Sequence, residues 1–168
     1  GTMYVADIGQ GIVEEISRVT AGANLGWNQW EGSFNYVGRQ EIGLANQRGD
    51  PKLVYPVVEF DHADPLLLPL VAITIGPIYR RTEIPELANL LLFGDNPSGE
   101  IFYVNADALP NGGQSAIRRM LFNDRGTPTT LLQLIQEKAP QLGQPSVGRA
   151  GLRFGAGANG QIFLLNKH

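Results

Sequence analysis

The hydrophobic pattern of this chain comes in short runs, four to seven residues long for the most part, rich in β-branched and aromatic side chains and bounded by Gly, Pro, Asn or Asp. Such runs read as β-strands. They fall at 3–7 (MYVAD), 13–19 (VEEISRV), 54–60 (VYPVVEF), 72–80 (AITIGPIYR), 90–94 (LLLFG), 100–105 (EIFYVN), 116–122 (AIRRMLF), 150–154 and 161–166 (QIFLLN). TLLQLIQ at 130–136 has the composition of a helix but is expected as a strand, because a four-stranded sheet needs one there. Pro85 opens one helical turn over 85–89. Residues 26–53 show almost no period, which predicts an unusually long loop carrying Trp27, Trp30, Phe34 and Tyr36.

A weak repeat runs through the second half. GDNPSGEIFYVN (94–105) and GANGQIFLLN (157–166) both pass through a Gly-containing turn into an Ile-Phe strand. Repetition of four-stranded units, at roughly 40 to 50 residues each, is the pattern of a β-propeller. The expected fold is all-β, and 168 residues suit a single domain of about three blades.

Composition narrows the function classes. Charged residues are 17% of the chain and the net charge is -3, with no basic stripe and no nucleic-acid motif, so nucleic acid is not an expected partner. There is no cysteine, which excludes disulfides and thiolate metal sites. The most apolar stretch, LLLPLVAITIGPIY (66–79), is 14 residues broken by Pro and Gly, too short for a membrane span. The beginning of the chain shows no signal-peptide pattern, which leaves the compartment unassigned. The glycine-rich GLRFGAGANG lacks the Lys-Ser/Thr pair of a phosphate loop, and no G-x-S-x-G nucleophile elbow occurs.

Several stretches together resemble the glucose/sorbosone dehydrogenase family, the soluble quinoprotein sugar dehydrogenases. They are DIGQGIVEEISRVTAGANLGW (7–27), YPVVEFDH (55–62), AITIGPIYRRTEIPELANLLLFGDNPSGEIFYVN (72–105) and GRAGLRFGAGANGQIFLLNKH (148–168). The resemblance covers the carboxy-terminal half of that family. It implies part of a six-bladed β-propeller, a calcium ion, and the cofactor pyrroloquinoline quinone in many members. The family's histidine base belongs to the other half. The chain departs from the family pattern at Leu25, Ile75, Arg81 and Gly151.

Calcium takes carboxylate and backbone carbonyl oxygens together. The resemblance places Glu15 and the backbone carbonyl of Leu25 at a calcium site, with Glu14 as the second carboxylate candidate. Strand alternation splits the pair, so one of the two is expected to face solvent. On composition alone the pair reads as a solvated strand edge. Arg149 and Arg153 are the nearest match to the family's cofactor-contacting basic residues, and Arg80 ends a strand where it could hold a carboxylate. His62, flanked by Asp61 and Asp64, is the best general base if the chain works alone, and otherwise a surface hydrogen-bonding group. Asp95 and Asn96 read as turn formers. Trp27 and Trp30 read as packing under the long loop, with a ring-shaped ligand as the other use.

Three functions fit these residues. The first is sugar oxidation with the rest of a propeller. The second is calcium-dependent hydrolysis of a lactone or ester, with His62 or a carboxylate activating water. The third is a non-catalytic calcium-stabilised binding module. Part of a ring leaves open sheet edges, so self-association as a homodimer or higher oligomer, or pairing with the other propeller half, is expected.

Overall fold

The computed structural model describes residues 2–63 and 71–167. They form fourteen strands, all paired antiparallel, and one α-helix. The fold is all-β, built from several small sheets, and among the described residues none closes on itself. The chain divides into two compact units, Gly1–Leu68 with Ala108–Ala116, and Pro69–Asp107 with Ile117–His168, where the sequence reads as one domain.

In the first unit, β1 (Met3–Asp7), β2 (Val13–Val19) and β6 (Val58–Asp61) form a sheet with β2 in the middle. Val13, Ile16, Val58 and Phe60 are buried there. Residues 26–53, expected as a loop, hold a second sheet of β3 (Trp30–Glu31), β4 (Phe34–Gly38) and β5 (Glu41–Gly43). These strands are two to five residues long and the β4–β5 register shifts between Tyr36 and Gly38, so no alternation builds up for the sequence to display.

In the second unit, β7 (Ile73–Ile78), β8 (Leu90–Asp95), β9 (Ile101–Asn105) and β10 (Arg118–Met120) make a four-stranded sheet. Leu91, Leu92 and Phe93 are buried in succession, since β8 is an inner strand covered on both faces. Phe93 and Phe102 pack with ring centres 6.0 Å apart. Hairpins β11 (Phe122–Asp124) with β12 (Thr127–Thr129), and β13 (Arg153–Ala156) with β14 (Ile162–Leu165), complete the unit. Both copies of the Ile-Phe repeat sit on hairpins, β8–β9 and β13–β14.

The strand expected at 130–136 is instead helix α1 (Leu131–Lys138). Thr130 and Gln133 decide this with a capping box. Thr130 Oγ1 accepts the Gln133 amide at 3.2 Å, and Gln133 Oε1 accepts the Thr130 amide at 2.8 Å. Two helical donors that would otherwise be orphaned are satisfied, and residues with high helix propensity follow. The expected turn near 85 is present as a 3₁₀ turn, Pro85–Leu87.

Candidate functional site

The register of the first sheet sets three carboxylates abreast. Asp7 of β1 stands opposite Glu15 of β2, and Glu15 stands opposite Glu59 of β6. Directly opposed residues share one face of a sheet, and like charges in that relation repel. A fourth carboxylate comes from β3. Oε1 of Glu31 accepts the amides of Gly11, Ile12 and Val13 at 3.3, 2.9 and 2.9 Å, which folds the 8–12 turn against it. Glu59 is anchored by Ser33, whose amide donates to Oε2 and whose hydroxyl donates to Oε1, both at 2.7 Å.

Among the described residues, two oxygens in this group have no partner. Oε2 of Glu15 and Oε2 of Glu31 are buried and accept no hydrogen bond, as is Oγ of Ser17 one step along β2. Buried polar atoms are nearly always paired, so such orphans point to a missing ligand or to strain. Burial first, then the charges of Asp7 and Glu59, push the Glu15 carboxyl up to about 8, while the Gly32 amide pulls the other way and Glu31 adds to the rise. Asp7 is raised as well, chiefly by burial. Gly32 has φ +61, and a Cβ there would lie 2.6 Å from Glu59 Oε2 and 3.0 Å from Glu15 Oε2. A glycine is what allows the backbone to sit between the two carboxylates.

Asp7, Gln10, Glu15, Trp27, Trp30 and Glu31 line a cavity of about 230 Å³ at this point. Trp30 is buried and packs on Tyr55, whereas Trp27 is exposed at the rim with its ring 5.0 Å from that of Tyr36. Leu25 sits in the adjoining corner, where the Asn24 carbonyl accepts from Val54 and the Gly26 carbonyl from Gln29 and Trp30. Leu25 is not among the residues that line the cavity. Among the described residues, no three His, Asp or Glu side chains are already gathered at metal-ligating spacing. The arrangement is an acidic pocket with two bare carboxylate oxygens. It suits a hard cation that completes its shell with carbonyls and water.

Neither member of the Glu14–Glu15 pair faces solvent, contrary to the expectation from strand alternation. Glu14 is 0% and Glu15 6% exposed, because β2 is an inner strand covered on both sides. The alternation itself holds: Glu14 turns away from the cavity and meets His62, with Glu14 Oε1 3.2 Å from His62 Nε2. Asp61 is engaged locally, accepting the Ala63 amide at 2.8 Å, and Asp64 lies outside the described residues.

In the second unit, Arg149, Arg153 and Lys167 line a cavity of about 420 Å³ together with Asn96 and Gly151. No carboxylate is among these lining residues. Arg153 and Asn96 both donate to the Leu152 carbonyl, at 2.9 and 2.8 Å. Arg80 is not part of this cluster; its guanidinium bonds Asp107 at 2.8 Å and Asn89 at 2.6 Å. Asp95 is a buried turn organiser, its oxygens accepting from Val71, Ala72 and Ser98 at 2.9, 3.0 and 2.7 Å.

Sequence reasoning singled out Glu15 but not Glu31, Glu59 or Asp7. A carboxylate on each of three strands becomes a cluster only once register is known. The period-two position of Glu59 in PVVEFD was the one available hint.

A stretch of 59 residues, 35% of this chain, is 30% identical to the HIPL2 protein of Arabidopsis thaliana, of which the match covers 8%. No known family profile matches the chain, and no solved structure does.

Proposed function

We propose that the chain is a piece of a calcium-binding β-propeller of the glucose/sorbosone dehydrogenase type, serving the oxidation of a sugar. The observation that carries this reading is the pair of buried, unpartnered oxygens on Glu15 and Glu31 beside the Asp7–Glu15–Glu59 rung. A divalent cation would satisfy both oxygens and offset like charges that otherwise repel. Glu15 and Glu31 would hold it, with Asp7 beside them and water completing the shell, rather than the Leu25 carbonyl, which does not line the cavity. On this reading the β7–β10 sheet is a blade, the smaller sheets are parts of others, and a second copy or a further stretch of propeller closes the ring.

The cavity of Arg149, Arg153 and Lys167 suits the multiple carboxylates of pyrroloquinoline quinone, because three cationic residues line it and no carboxylate is among the described lining residues. The quinone, when bound, supplies the electron acceptor that sugar oxidation requires. The chain's own part there is to bind and orient an anion.

The close approach of His62 to Glu14 favours a second reading, hydrolysis of a lactone with His62 as general base. Geometry weighs against it. Glu14 and Glu15 project from opposite faces of β2, so His62 stands on the side away from the proposed cation.

Calorimetric titration with calcium at pH 8 tests the site. Glu15→Gln and Glu31→Gln are expected to weaken binding at least about tenfold, and Glu14→Gln to leave it unchanged. Absence of binding, or equal loss in all three variants, overturns the assignment. Dye reduction with pyrroloquinoline quinone and glucose, set against chelator-sensitive cleavage of sugar lactones, separates the two activities.

A further inference from the structure

The first unit holds a second cavity, of about 480 Å³, walled by Phe34, Ile42, Leu44 and Phe60 and closed at one end by residues 111–114. Arg48 fixes its floor. Nε donates to Ser33 Oγ at 2.7 Å, Nη1 to Asn111 Oδ1 at 2.6 Å, and Nη2 to the Pro56 carbonyl, while the guanidinium lies 5.5 Å over the Tyr55 ring. Ser33 passes the contact on, its hydroxyl donating to Glu59 Oε1 at 2.7 Å. The Gly113 amide donates to the same oxygen at 3.3 Å. Gly112, at φ +86, presses the closing loop onto this floor; a Cβ there would come within 2.7 Å of both Arg48 Nη2 and Glu59 Oε1. The cavity is therefore held open by a finished polar network rather than by loose side chains.

That network also decides what the cavity can take. Three of the five N–H groups of Arg48 are taken by protein acceptors, and Ser33 links the guanidinium to Glu59, whose carboxylate offsets its charge. Asp61, on the lining, is different. One oxygen accepts the neighbouring Ala63 amide, and among the described residues no cationic side chain is paired with it. Leu44 is 70% exposed at the mouth. An apolar body therefore has a surface to displace water from, and the lining, with Arg48 set against Glu59 and Asp61, carries one more acid than base, Asp61 being solvent-exposed.

We propose that this cavity binds a small organic cation, an ammonium group on an apolar or aromatic body, with the body against Phe34, Ile42 and Leu44 and the cation facing Asp61.

Three probes with one phenylpropyl body and different head groups test it: 3-phenylpropylammonium, 3-phenylpropan-1-ol and 3-phenylpropionate, titrated against the full chain by amide-shift NMR at pH 7. The ammonium is expected to bind saturably, about fivefold tighter than the alcohol, with the carboxylate weakest. Asp61→Asn keeps the acceptor for the Ala63 amide. It should bring the ammonium down to the alcohol's affinity and leave the alcohol unchanged. Leu44→Ala, at an exposed position, should weaken all three. Equal affinities across the head groups, no saturable binding of the ammonium, or an Asp61→Asn variant that still prefers it overturns the proposal. Glu15→Gln should keep ammonium binding, so failure of the calcium reading is distinguishable from failure here.

Discussion

Nε2 of His62 stands 3.2 Å from Oε1 of Glu14, whose side chain is fully buried. Taking the imidazole away opens a gap beside a buried carboxyl and removes one of its contacts. His62→Ala should therefore lower stability by about 1 to 3 kcal/mol. His62→Gln, which can still donate, should restore part of it. Calcium affinity should not change in either variant, since Glu14 lies across β2 from the cavity. Urea unfolding and calcium titration of the same samples check both statements.

The raised Glu15 carboxyl gives stability a pH dependence in the absence of divalent cations. Below the ordinary value of 4.5, folded and unfolded chains are both protonated and Glu15 imposes no penalty. Between 4.5 and about 8 the unfolded chain releases the proton and the folded chain keeps it, so this contribution to stability falls as pH rises. Above about 8 the loss is complete. Glu15→Gln should flatten this slope and be the more stable protein at pH 8 in chelator. A variant with the same slope as the parent would show that Glu15 does not set it.

Asp95 is 0% exposed and accepts three amides, from Val71, Ala72 and Ser98. Asp95→Ala takes the acceptor from three part-buried amides and leaves a gap at a fully buried position, with an expected cost of about 1 to 3 kcal/mol. Thermal unfolding measures it, and hydrogen exchange should locate the loosening at the β8–β9 turn.

Gly32→Ala combines a left-handed backbone, φ +61, with a Cβ 2.6 Å from Glu59 Oε2. The strain and the displaced carboxylate together should cost about 1 to 3 kcal/mol and weaken calcium binding. An alanine variant as stable as the parent would mean that the two carboxylates can move apart freely.

How much of this was legible depends on the range of the interactions involved. β1, β2, β8 and β9 follow the hydrophobic pattern within a residue or so, because each is long enough for side-chain identity to outweigh its surroundings. Helix α1 was legible in principle, since Thr130-x-x-Gln133 is written in the chain, but sheet completion was weighed above it. The sheet in residues 26–53 was not legible, its strands being too short and bulged to show a period.

By itself, the sequence determined an all-β chain of short strands. It also made Glu15 a candidate ligand, on the expectation of a calcium-binding sugar dehydrogenase. The tertiary structure decided what surrounds that carboxylate. Asp7 and Glu59 reach Glu15 by strand register, and Glu31 and Gly32 by a turn that packs on the 8–12 loop. Register is fixed by which faces are buried across strands some forty residues apart, and that burial exists only once the chain has closed on itself.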